Sequence, residues 1–234
     1  LMGLPLGWLA WMSVSGEGGF TVRHYWTVFS DRALQRALWN TVVMAFWVGL
    51  ASVAVGAPLA WLTARTDIPF RGLIRALVLA SFVTPPFLGA FAWVMLAGPN
   101  AGLLNRLRRG ATGAEAPLLN IFSMPGLIFV VTIYTFPYVY IMVANTLALI
   151  ASDLEEAGAI LGAGRLWVAL TVTLPMVLPA LASGFILASL QALALFGSPA
   201  ILALPAGFHT VTTQIWSLFQ FPPKVEMAAA FSLP

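Results

Sequence analysis

Long apolar runs alternate along the chain with short polar stretches. Residues 37–64, 74–97, 124–150 and 175–196 carry almost no charge. About twenty apolar residues suffice to cross the hydrocarbon core of a bilayer, so each run predicts a membrane-spanning helix. Two shorter apolar runs lie at the ends, 1–12 with no basic region before it and 227–234 stopping without a cap. They predict partial spans of a chain truncated at both ends. The expected fold is all-α, a polytopic membrane helix bundle forming one transmembrane domain over 1–234.

Proline, glycine and polar residues punctuate this pattern. Gly49, Ala51, Gly56 and Ala57 give the first complete span a small-residue face suited to close helix packing, and Pro58 predicts a kink. Pro85-Pro86 breaks the second span near its middle. Irregular backbone at that depth persists only when buried in protein or lining a cavity, so Thr84 to Gly89 is either a path-lining hinge or a kink tolerated by its neighbours. Pro125 suits the first turn of the third span. Tyr134 and Tyr138 share one face of it, as path-lining or as packing groups. Gln191 in the fourth span is expected to be a buried polar group needing a partner, through an interhelical hydrogen bond or a path contact. The prolines of 197–226 forbid a straight helix, and the pattern predicts a loop with a short re-entrant or interfacial helix near Thr210–Phe219. The stretches 13–37 and 98–120 read as extramembrane loops, the first with Ser30 or Asp31 capping a lead-in helix.

Composition agrees. Apolar residues make up 60% of the chain and charged residues 8%, against about 45–50% and about 25% in soluble domains. The net charge of +3 rests on eleven basic and eight acidic residues and does not argue for nucleic acid. Cysteine is absent, which excludes disulfides and thiolate metal sites. His24 and His209 have no carboxylate at a metal-ligand spacing. No phosphate-binding Gly-rich loop, nucleophile elbow or zinc-protease motif occurs. These observations predict no catalytic site, no metal site and no cofactor bound by this chain. ATP, if it drives the protein, is hydrolysed by another subunit.

One stretch concentrates the acidic residues: Ser152 to Pro179, with Asp153, Glu155 and Glu156 within four positions. Ser152 as N-cap and Glu155 three residues later form a capping box, and the carboxylates fall where the helix dipole favours them. Gly162 and Gly164 suit a left-handed helix end, and a second helix is expected from about Arg165. Glu156-Ala157-Gly158, three residues, Gly162, nine residues, then Val172-Thr173-Leu174-Pro175 resembles the EAA loop of ABC importer permeases, the MetI-like inner-membrane components of binding-protein-dependent transport. Gly158 replaces the second Ala of the family pattern and Val172 its Ile. The resemblance implies a cytoplasmic coupling loop over 152–174. Asp153, Glu155, Glu156, Ala157, Gly158, Gly162, Arg165, Leu174 and Pro175 would form or position its contact with the ATPase. The weaker translocation-path candidates are Pro85, Pro86, Tyr134, Tyr138 and Gln191.

The run from Phe196 through Pro199, Pro205, Gly207 and His209 to Trp216 resembles iron(III)-type permeases. The resemblance therefore implies the translocation subunit of an ATP-driven importer, most like those for iron(III), with thiamine, polyamine or phosphonate as alternatives. Its implied partners are cytoplasmic ABC ATPase subunits, a second permease half (fused or separate), an external substrate-binding protein and membrane lipid. Its implied location is the bacterial inner membrane. An ion-coupled secondary transporter or a non-transporting membrane scaffold is the rival class. Neither accounts for the coupling-loop spacing, and the first lacks a membrane-embedded carboxylate.

A cytoplasmic coupling loop puts Arg65, Arg71, Arg75 and Arg165 inside. It puts Arg23, Arg32, Arg36, Arg106, Arg108, Arg109 and Lys224 outside. That count runs against the positive-inside tendency, and the motif is taken as the stronger guide to orientation.

Overall fold

A computed structural model of the chain describes residues 3–16, 19–113, 116–150, 158 and 162–233. Apart from a two-residue strand pair, β1 (Ser15–Gly16) with β2 (Gly19–Phe20), its regular structure is helical. The helices are α1 (Gly3–Ser13), α2 (Arg23–Ser30), α3 (Arg32–Arg65), α4 (Arg71–Val83), α5 (Pro86–Ala97), α6 (Leu103–Thr112) and α7 (Met124–Leu149). After the acidic stretch come α8 (Arg165–Val168), a π-helical turn (Ala169–Thr173), α9 (Leu174–Ala194), α10 (Gly197–Leu202), α11 (Val211–Leu218) and α12 (Val225–Ser232).

Among the described residues α3, α7 and the run Ala169–Ala194 are each long and apolar enough to cross a membrane. The α4–α5 pair passes the same test but bends by 102°, as a broken span or re-entrant loop does. Pro86 opens α5, and Thr84 and Pro85 occupy the break. With 34 residues, α3 is roughly 50 Å long, more than the ~30 Å hydrocarbon core. Its polar first turn, with Arg32, Gln35 and Arg36, accounts for part of the excess. Pro58 lies within α3 without ending it.

The chain divides into two compact units. The first comprises Leu1–Met44, Val94–Leu127 and Leu193–Pro234. Its core joins Val28, Leu34, Ala37, Ala230 and Phe231, so α12 packs among α1, α2 and α11. Asp31 caps α3, accepting the N–H groups of Ala33 (2.7 Å) and Leu34. Asn40 and Thr41 hold a segment distant in sequence. Asn40 donates to the His209 carbonyl (2.9 Å), and Thr41 Oγ1 accepts the Val211 N–H (2.8 Å). The short helix expected near Thr210–Phe219 is α11, opened by a Thr210–Thr213 capping box. The stretch 98–120 is not merely a loop, because it contains α6.

The second unit comprises Ala45–Trp93 and Ile128–Ala192. Its core gathers Ala60, Val78, Val139, Tyr140, Val143, Leu147 and Val177. Two glycines set how closely its helices approach α7. A Cβ on Gly56 of α3 would lie 2.7 Å from the Phe136 carbonyl oxygen, and one on Gly184 of α9 would lie 2.9 Å from Val139 Cα. Buried hydroxyls link the same helices, Ser52 with Thr135 and Thr63 with Tyr140, each at 2.9 Å. Pro137 lacks the N–H that the Ile133 carbonyl would otherwise receive, and Ser81 Oγ of α4 donates to that carbonyl at 2.6 Å.

Gly56→Val and Gly184→Val are each expected to destabilise the second unit by about 1–3 kcal/mol, seen as a lower thermal midpoint in detergent. Gly72→Val, where an added Cβ meets nothing within 4 Å, should leave the midpoint unchanged. A wild-type midpoint for Gly56→Val would show that α3 and α7 do not meet at this glycine.

Candidate functional site

The acidic half of the coupling-loop motif, with Asp153, Glu155, Glu156 and Ala157 and the capping box at Ser152, lies outside the described residues. The remainder is described in part. The Ala163 N–H donates to the Gly158 carbonyl at 3.0 Å, and Gly162 between them has φ 83°. A six-to-one bond closed over a left-handed glycine is the Schellman pattern that ends a helix. Gly164 does not share the left-handed conformation, so Gly162 alone makes the turn.

Gly158, where the family pattern has alanine, has a local reason. A Cβ there would fall 2.9 Å from Val168 Cγ2, and Val168 is buried. The first turn of the following helix thus packs directly on this glycine. Gly158, Gly162, Ala163, Gly164 and the exposed Trp167 line an open hollow of about 460 Å³. Arg165 begins α8, with its side chain outside the described set.

Leu174 and Pro175 stand at the junction of the π-helical turn and α9. The Leu174 N–H reaches back five residues to the Ala169 carbonyl. Pro175 has no N–H to give the preceding turn, and a widened turn just ahead of it is a known way for a helix to accommodate a break in its ladder. Arginines close the neighbouring helix ends. Arg65 donates to the Ile150 carbonyl at 3.0 Å and Arg75 to the Thr63 carbonyl at 2.9 Å. Both carbonyls lie at helix C-terminal ends, where a cation also meets the favourable end of the dipole. Sequence reasoning treated these arginines only as loop charges.

The path candidates come together within the second unit. The rings of Phe82 and Tyr138 meet edge to face at 5.0 Å, and those of Trp93 and Phe129 at 4.7 Å. Between these rungs the Tyr134 hydroxyl rests against Gly89, so α5 runs antiparallel to the first half of α7. Gln191 donates to the Tyr138 hydroxyl. It is exposed rather than buried, a correction to the sequence reading, though it has an interhelical partner. Pro85 is exposed and Pro86 half-buried at the break. Among the described residues no group of His, Asp or Glu is arranged to hold a metal ion.

The family model for "Binding-protein-dependent transport system inner membrane component" matches residues 56–233. The sulfate transport system permease protein CysW of Escherichia coli (strain K12) is 28% identical over 174 residues, covering 74% of this chain and 58% of the relative. The molybdenum transport system permease protein ModB of Mycobacterium tuberculosis (strain ATCC 25618 / H37Rv) is 30% identical over 211 residues, 89% of this chain and 77% of the relative. The chain thus spans under two thirds of the length of CysW. The crystal structure of a bacterial ABC transporter involved in the import of the acidic polysaccharide alginate superposes with a TM-score of 0.76 at 19% identity. It covers 97% of this chain and 82% of that one, a likeness of fold. With helices fit to span a bilayer and a family match over most of its length, the chain belongs to the binding-protein-dependent transport system inner membrane components.

Proposed function

We propose that this chain is the translocation subunit of an ATP-driven ABC importer in a bacterial inner membrane, and that it carries a tetrahedral oxyanion of the sulfate or molybdate kind. The observation that carries the substrate class is the similarity to CysW and ModB. The donors along α7 and α9 suit it. Tyr134, Tyr138 and Gln191 offer neutral O–H and N–H groups, which an anion accepts from without being held by a fixed positive charge. Iron(III) is the second reading, favoured by the run from Phe196 to Trp216. In either case selection rests with an external binding protein, and the energy comes from ATPase subunits docking at 152–174. A second permease half, fused or separate, completes the pore.

In this role ATP-driven closure of the ATPases moves the acidic segment before Gly162, and the Schellman turn passes the motion into α8 and α9. Glu156→Lys reverses a charge at the docking surface. Gly162→Val forces a branched side chain into a left-handed backbone, at about 1–2 kcal/mol. Both variants are expected to insert normally yet lose uptake and ATPase copurification. Wild-type uptake by Glu156→Lys would remove that residue from the coupling contact.

Deletion of the gene is expected to abolish most high-affinity uptake of labelled sulfate or molybdate and to spare ferric iron, thiamine and polyamines. Loss of iron uptake with intact oxyanion uptake would favour the second reading.

Orientation has its own readout. A cytoplasmic coupling loop places the start of α4 inside and the stretch 98–120 outside. An impermeant thiol reagent added outside should label Ala116→Cys and not Gly72→Cys, both at exposed positions in a chain with no cysteine of its own. The reverse pattern would invert the topology.

A further inference from the structure

The helix α6 is built unlike the spans around it. Its sequence, LLNRLRRGAT, sorts into three faces. Asn105 points inward and is 1% exposed. Its amide donates to the carbonyls of Gly98 (2.9 Å) and Leu119 (2.8 Å), and its oxygen accepts the N–H groups of Leu118 (2.8 Å) and Leu119 (3.0 Å). Arg109 shares that side, donating to the carbonyls of Pro99 and Asn100. On the opposite side Leu103 and Leu107, one turn apart, are 50% and 62% exposed, with Leu104 beside them. At 100° per residue, Arg106 and Arg108 fall on the two flanks of this leucine face. Arg108 gives one N–H to the Ala116 carbonyl (3.1 Å). The Arg106 guanidinium has no partner among the described residues, and no described carboxylate pairs with any of the three arginines.

Within the first unit α6 is tied to the last residues of α5 and to the segment just before α7. Only five residues separate it from the end of α5, which limits the gap to under roughly 20 Å. The Gly102 N–H bonds to the Gly98 carbonyl (3.0 Å), and the Ile121 N–H returns to the Ala97 carbonyl (3.4 Å) just before α7 starts. This helix is therefore strapped at the level where one apolar helix ends and the next begins. The stretch 98–120 holds three arginines and one glutamate, Glu115, which lies outside the described residues.

We propose that α6 is an in-plane interfacial helix whose Leu103–Leu104–Leu107 face enters the acyl boundary of the bilayer while Arg106 and Arg108 bind the phosphates of anionic phospholipid. An apolar face with basic flanks on a helix held at the bilayer edge fits lipid on both counts. The leucines replace acyl contacts, and the long arginine side chains reach outward to the phosphate level. A water-facing helix would leave three large leucines exposed with nothing to cover them.

The test uses the full chain, free of native cysteine, in vesicles of equal parts phosphatidylglycerol and phosphatidylcholine. A nitroxide on Leu107→Cys should be relaxed by oxygen and shielded from a water-soluble nickel chelate. Relaxation by the chelate would put the face in water, and exclusion of both relaxants would put protein over it. Either result overturns the proposal. In native mass spectrometry the wild type should retain phosphatidylglycerol over phosphatidylcholine. Arg106→Gln should reduce that preference about five-fold, as expected for one basic group at a charged surface, and Arg106→Lys should restore most of it. Equal retention of the two lipids by the wild type would remove the anionic part of the assignment.

Discussion

Inside a bilayer a backbone N–H or C=O that loses its helical partner has no water to turn to, and much of this structure consists of answers to that constraint. Pro137 leaves the Ile133 carbonyl without its intrahelical donor, and Ser81 of α4 supplies one. That bond ties α4 to α7. The ends of helices pose the same problem, and Arg65 and Arg75 address it with guanidinium groups on the Ile150 and Thr63 carbonyls. Asn105 does so outside the spans, serving four backbone groups of the connection between α5 and α7 with one side chain.

Once the backbone is satisfied, the spans still have to hold together without a hydrophobic driving force, since lipid is as apolar as leucine. The second unit relies on close approach. Gly56 and Gly184 admit the backbone and side chains of α7, and the Ser52–Thr135 and Thr63–Tyr140 pairs add hydrogen bonds worth about 0.6 kcal/mol each on average. The same geometry shapes the candidate path. Tyr134 needs the bare backbone of Gly89, and Tyr138 is held between Phe82 and Gln191. The polar groups proposed to meet substrate are thus packing groups in this structure.

The spans and the break at Pro85-Pro86 were legible because hydrophobic length and a missing N–H act locally. Gly162 was legible for the same reason, since only a glycine enters the left-handed region without strain. Gly164 shows the limit of that reasoning, because a second glycine in reach does not say which one turns. Asn105 gave no signal. A lone amide between leucines and arginines does not advertise bonds to residues up to fourteen positions away, and without it 98–120 reads as loop. Gln191 was expected inside on the rule that polar groups in spans need partners. It has the partner, Tyr138, while remaining on an exposed face, because a long amide can reach across a helix pair without being enclosed by it.

The departure at Gly158 bears on how a docking motion would travel. With alanine there, the methyl would press on Val168, so the family's usual residue and this Val168 do not fit together without a shift. Glycine lets the first turn of α8 sit against the end of the acidic segment. Val168 is followed directly by the π-helical turn, where Thr173 is fully buried and five-residue bonds replace four-residue ones. Between Gly158 and α9, therefore, one side-chain contact is tight and one turn of helix is wide. In the proposed coupling role the tight contact transmits displacement, and the wide turn, followed by Pro175 and Pro179, is where the helix can change direction. In that role the stiffness of the lever depends on whether a glycine faces Val168.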